Sequence, residues 1–90
     1  MHPVPSAHRP SELAFPEPVR MRVGDRFVFL PSVETAIAWL QAPGNEAARG
    51  RLAKPLELLL AASESRSRMD VSAGYRALVD GVIRERLVFR

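Results

Sequence analysis

Proton-transfer chemistry at neutral pH would have to run through His2 and His8, the two histidines of this 90-residue chain. Both fall among Pro3, Pro5 and Pro10, in a stretch without hydrophobic periodicity. Nucleophilic hydrolysis needs a base held within hydrogen-bond reach of a nucleophile, and a third group to orient that base. A proline-studded arm does not hold an imidazole to that tolerance. The two histidines are six residues apart, unlike the i, i+4 spacing that places two imidazoles on one helix face around zinc. There is no cysteine, which removes disulfide scaffolds, Cys-rich zinc sites, iron–sulfur clusters and thiol nucleophiles together. Glu57, Glu64, Asp70, Asp80 and Glu85 read as solvated helix faces and caps rather than as a catalytic pair. Gly24, Gly44, Gly50, Gly74 and Gly81 form neither a dinucleotide fingerprint nor a phosphate loop. The chain therefore reads as non-enzymatic, with no catalytic residue, no metal ligand and no cofactor.

Binding chemistry is better represented. The chain carries 13 basic residues against 10 acidic ones, for a net charge of +3. Arg20 and Arg22 stand on alternate positions of a period-two segment, and Phe27 and Phe29 do the same further on. If all four shared one exposed sheet face, they would offer guanidinium groups to phosphates and rings to bases. Arg66 and Arg68, near the start of the last helix, could extend such a nucleic-acid interface. The small net charge and the interspersed carboxylates weigh against that reading, and ordinary solvated arginine accounts for most of the basicity. The favoured expectation is a protein-interaction module, homodimeric through a sheet edge or a helix face. Its contact residues would be Arg20, Arg22, Val28 or the Phe pair, and Trp39, because a small sheet leaves unpaired edges that invite another strand. A weak RNA or single-stranded nucleic-acid binder using Arg20, Arg22, Phe27, Phe29, Arg66 and Arg68 is the alternative.

The elements that must position these residues follow from pattern and turn chemistry. Residues 1–16, with Pro3, Pro5, Pro10 and Pro16, are expected to form a disordered arm, leaving 17–90 as one small domain. Val19, Met21 and Val23 alternate with the arginines as a half-exposed strand, Gly24-Asp25 turns the chain, and Phe27 to Leu30 form the partner strand. A two-residue loop pairs Val23 with Arg26 and puts both Phe beside Arg20 and Arg22. A three-residue loop pairs Val23 with Phe27 and turns both rings into the core, since a slip of one residue swaps every face. The second register is expected, because so small a core has few aromatics to spare.

Ser32 caps a helix whose stripe is Val33, Ala36, Ile37 and Leu40, with Trp39 at its margin and Pro43-Gly44 as the stop. Between Asn45 and Ser65 the chain either kinks before Pro55 or makes a short turn ahead of a helix that has Pro55 in its first turn. Ser63 to Arg68 reads as a polar connecting loop, too long for a helix-turn-helix. Asp70 is the expected cap of the last helix, whose buried face is Val71, Tyr75, Leu78, Val79, Val82 and Ile83. Gly74 and Gly81, seven apart on that helix, fit either close approach of another helix or tolerated small residues on the solvent side. Leu87-Val88-Phe89 can add an edge strand or pack as a tail. The fold class is α+β: an N-terminal antiparallel hairpin, with this third C-terminal strand as an option, covered on one face by two or three helices.

No apolar run exceeds five residues, far short of the roughly 18 a membrane span needs. The N-terminal prolines interrupt any signal-peptide core, so a cytoplasmic protein without a membrane partner is expected. The order of a Pro18-Val19 strand, a Gly24-Asp25 turn and Ser32-Val33-Glu34-Thr35-Ala36 running into Trp39-Leu40 resembles a family of small bacterial proteins, common in rhizobia and their relatives. It is designated domain of unknown function nine-eight-two. Arg49-Gly50 before a Leu/Ala helix, a polar loop and an amphipathic final helix continue the likeness over about residues 15–88. The resemblance implies a compact α+β domain and brings no activity, cofactor or site residue with it.

Overall fold

The prolines of the N-terminal region do not keep the chain out of the sheet. In the computed structural model, which describes residues 12–87, strand β1 runs Ala14–Val23 and pairs antiparallel with β2, Arg26–Ser32. The strand thus reaches back into the segment expected to be a disordered arm; residues 1–11 of that arm lie outside the described residues. Between the pairs Ala14↔Ser32 and Val19↔Leu30 the register shifts, with residues 15–18 of β1 opposite Pro31 of β2. Pro16, Pro18 and Pro31 all fall in this irregular stretch, where missing N–H donors cost least. Two backbone-directed bonds tie down the strand entry, from Leu13 N–H to Glu34 Oε1 at 2.9 Å and from Val33 N–H to the Leu13 carbonyl at 2.9 Å.

Four helices follow: α1 (Val33–Gln41), α2 (Glu46–Arg51), α3 (Ala53–Ser65) and α4 (Arg68–Arg84). Two of them lie on the hairpin, α1 against β2 and α4 against β1, and α3 packs on α1 and α4 behind them, which is the expected α+β layering. Among the described residues no helix is long and apolar enough to cross a membrane. Val19, Met21 and Leu30 enter the core from the sheet, and Val33, Ala36, Leu40, Leu52, Leu59, Leu78 and Val82 meet them from the helices.

The Ser32 cap forms as expected, its Oγ accepting from Thr35 N–H at 3.2 Å. At the next junction the chain takes the second of the two expected routes: α2 ends, Leu52 is buried in the break, and α3 carries Pro55 in its first turn. Here the missing N–H would have had no helical partner in any case. A carboxylate organises the turn from α1 into α2. Backbone N–H groups, its own and then that of Gly44 (3.2 Å to Oε2), hold the Glu46 carboxyl below its ordinary range, helped by the Arg49 cation.

Three expectations about α4 are corrected. Ile83, expected on its buried face, is 59% exposed, while Gly74 and Gly81 are buried. The connecting loop is not Ser63 to Arg68 but only Arg66-Ser67, because α3 continues to Ser65 and ends on Arg66 in the left-handed conformation (φ +57°). The cap is Ser67 rather than Asp70. Ser67 Oγ accepts from Asp70 N–H at 3.2 Å, and Asp70 Oδ2 accepts from Ser65 Oγ at 2.5 Å. Asp70 therefore stands in the first turn, where its charge suits the helix dipole. Ser67→Ala should lower stability by about 1 kcal/mol, the usual cost of losing a Ser cap. Urea unfolding reads this as a lower midpoint at unchanged slope.

α3 and α4 lie antiparallel along their length rather than crossing as in a helix-turn-helix. Gly74 faces Leu59 and Gly81 faces Leu52: a Cβ built on either glycine would come within 2.9 and 2.8 Å of those side chains. The close-approach reading of the two glycines holds, and both are buried.

Candidate interaction surface on the outer hairpin face

The hairpin turn decides which side chains reach solvent. Gly24 takes φ +63° and Asp25 does not follow it into the left-handed region, the pattern of a two-residue loop with glycine first. Val23 then pairs with Arg26, Arg22 with Phe27, Met21 with Val28 and Arg20 with Phe29. The expectation of buried rings is overturned: Phe27 is 67% and Phe29 55% exposed. The aromatic that the core needed comes from Phe15 instead. That residue lies in the segment assigned to the arm, is buried, and packs its ring 5.2 Å from Tyr75.

The outer face is therefore a ladder of two cross-strand pairs. The Arg20 guanidinium lies 5.7 Å from the centre of the Phe29 ring, and that of Arg22 lies 5.8 Å from the Phe27 ring. Each is a cation–π contact that holds the arginine's charge beside an apolar ring, and Arg22 Nε also donates to the Gly24 carbonyl at 3.2 Å. By alternation Pro31 continues the same side. No carboxylate occupies these alternating positions. The rings and Arg20 border a depression of about 130 Å³ over the Met21 and Val28 backbone. In chemical terms the surface combines flat apolar rings and positive charge, with the exposed carboxylates Glu17 and Asp25 set off the alternating positions, in the irregular stretch and in the turn.

The other expected contact residues are placed elsewhere. Val28 pairs with Met21 on the helix side and is partly buried against the core, so it does not share a face with Arg20 and Arg22. The reason is the register: the two-residue loop that releases the rings turns Val28 inward. Trp39 sits in the helical layer, partly buried against the core at the margin of α1, with its carbonyl accepting from Asn45 Nδ2 at 2.7 Å. Arg66 and Arg68 border a depression of about 550 Å³ at the start of β1, together with Glu12, whereas Arg20 and Arg22 occupy the end of that strand. Arg66 also faces Glu34, 3.9 Å from its Oε2. The six residues of the nucleic-acid expectation thus split into a cationic–aromatic four and a separate pair set among carboxylates. His2 and His8 lie outside the described residues.

Two arginines that the sequence did not single out for binding join Arg22 near the hairpin tip. Arg51 and Arg86 border, with Arg22, Gly24, Glu85 and Leu87, a depression of about 440 Å³. Nothing in spacing signals this, because the three come from β1, the end of α2 and the turn after α4.

The edges of the sheet bear on self-association. In a hairpin closed by the Val23–Arg26 pair, the Arg22 backbone points away from β2. Its N–H donates to the Leu87 carbonyl at 2.7 Å, so this edge is already occupied at that point. Of the expected third strand only Leu87 is described; Val88 and Phe89 lie outside the described residues.

No protein-family model, no curated protein and no solved structure matches this chain.

Proposed function

We propose that the chain is a non-enzymatic binding module and that the outer face of its hairpin takes single-stranded nucleic acid. The observation that carries this reading is the exposed ladder Arg20–Phe29 and Arg22–Phe27. Bases of any identity stack on such rings, and the flanking guanidinium groups neutralise the phosphates between them. A second copy of the chain suits this face less well. Packed face to face, two hairpins would crowd their arginines together with no carboxylate on the alternating positions. Edge pairing is restricted on β1 by the Leu87 bond and on β2 by Pro31, which has no N–H to donate.

The test is anisotropy of a fluorescein-labelled deoxythymidine octamer, and of its uridine counterpart, titrated over a range of salt. Affinity should fall linearly on a log–log plot. The double variant Arg20→Ala/Arg22→Ala should bind more weakly and flatten the slope by about 1.4, roughly 0.7 for each single-strand phosphate that is no longer neutralised. Absence of binding at about 50 mM salt, where counterion release favours the complex, would sink the reading. Light scattering that showed instead a dimer dissolved by the same double variant would assign the face to self-association.

A further inference from the structure

Resting on that reading, we infer that Arg22, Arg51 and Arg86 form a phosphate subsite at the hairpin tip. It takes the phosphodiester next to the base stacked on Phe27. Arg22 belongs to both places: its guanidinium lies 5.8 Å from the Phe27 ring centre, and its side chain borders the depression shared with Arg51 and Arg86. Three independent packing events bring the cations together. Leu52, buried against Gly81, carries Arg51 to the C-terminal part of α4. The chain then leaves α4 through a turn in which Leu87 N–H returns to the Val82 carbonyl at 2.8 Å, which places Arg86. The 2.7 Å bond from Arg22 N–H to the Leu87 carbonyl docks this turn on β1. Three arginines and one acidic residue, Glu85, are among the residues that border the depression.

The backbone of Arg86 adds an independent observation. It adopts φ +60°, a left-handed conformation after a helix end where glycine is the favoured residue. A side chain kept where glycine would be more comfortable points to a use for that side chain. Helix-end electrostatics offers a competing use, because a cation after the last turn complements the dipole. Replacing Arg86 by glycine separates the two. It relieves the backbone and removes the guanidinium, so a subsite role predicts weaker phosphate binding with an unchanged or higher melting temperature. A dipole role predicts a lower one.

The experiment follows arginine Nε–Hε resonances of the full chain in two titrations, one with tripolyphosphate, which has no base, and one with the deoxythymidine octamer. Tripolyphosphate should move Arg22, Arg51 and Arg86 ahead of the other arginines and leave the Phe29 amide in place; the octamer should move both groups. Arg86→Gly and Arg51→Ala should each abolish the selective tripolyphosphate shifts and lower the octamer salt slope by about 0.7. The subsite is overturned if tripolyphosphate shifts all arginines alike, or if both variants keep the wild-type slope while the octamer still binds across Phe27 and Phe29. That last result would leave the nucleic-acid reading standing. Selective tripolyphosphate binding at the three arginines, with the octamer leaving the rings untouched, would do the reverse.

Discussion

Exchanging Phe27 and Phe29 together for alanine is expected to weaken octamer binding by on the order of 100-fold, since each stacked base is worth roughly 1–3 kcal/mol. The fold should survive. Both rings stand on the solvent side of the sheet, and what the variant loses in stability is two exposed cation–π pairs, about 0.5–1 kcal/mol each. Melting temperature should therefore drop by about 4–16 °C, the shift that a loss of about 1–2 kcal/mol gives in a domain of this size, while affinity collapses. A companion variant, Phe27→Leu/Phe29→Leu, distinguishes stacking from simple apolar packing. It keeps most of the hydrophobic area but offers no π-face, and should bind nearly as poorly as the alanine pair. Phe27→Tyr/Phe29→Tyr should bind close to wild type. Leucine binding as well as phenylalanine would remove stacking from the account, and with it the preference for single strands over other anions.

The largest effect on stability is expected at Leu59. It is fully buried in α3 and sits over Gly74 of α4. Truncation to alanine should cost about 2–5 kcal/mol in transfer energy and cavity. A domain of this length has roughly 5–13 kcal/mol to lose, and each kcal/mol moves the melting temperature by about 4–8 °C. The informative comparison is with Gly74→Ala. In the wild-type background the new methyl would sit 2.9 Å from Leu59 Cδ2 and 3.4 Å from its Cγ. That clash offsets the gain of about 1 kcal/mol that alanine brings to a helix interior. In the Leu59→Ala background the obstruction is gone, the methyl fills part of the cavity, and the same substitution should stabilise. A double-mutant cycle from urea unfolding should give a coupling of about 1–2 kcal/mol, in the range for residues that touch directly. Equal effects of Gly74→Ala in the two backgrounds would mean that the helices are not held this close.

The two experiments probe opposite sides of the hairpin, and the asymmetry has a physical basis. The helical layer supplies enough leucine, together with Phe15 and Tyr75, to close the core without Phe27 and Phe29. The second strand can then show its aromatics to solvent. An exposed pair of phenylalanines lowers solubility, and Arg20 and Arg22 place a positive charge beside each ring through their cation–π contacts.

Local chemistry was enough to establish the hairpin and its Gly24-Asp25 turn, the Ser32 cap, the end of α1 before Pro43-Gly44, the amphipathic last helix and the α+β class. Each of these depends on residues within a few positions of one another: alternation, a hydroxyl against a free N–H, a glycine able to take positive φ. The face of β2 did not follow from such terms. Two- and three-residue loops both satisfy the turn, and the choice between them rests on whether another aromatic fills the core. That aromatic, Phe15, sits among prolines whose local preference argues against a strand, and long-range pairing with β2 and Tyr75 overrides it. The extent of the loop before α4 and the burial of Gly74 and Gly81 were set the same way, by how α3 lies on α4. Arg22, Arg51 and Arg86 meet because three separate elements dock. Interactions between distant parts of the chain carry no periodic signature, so packing alone brought these cations together.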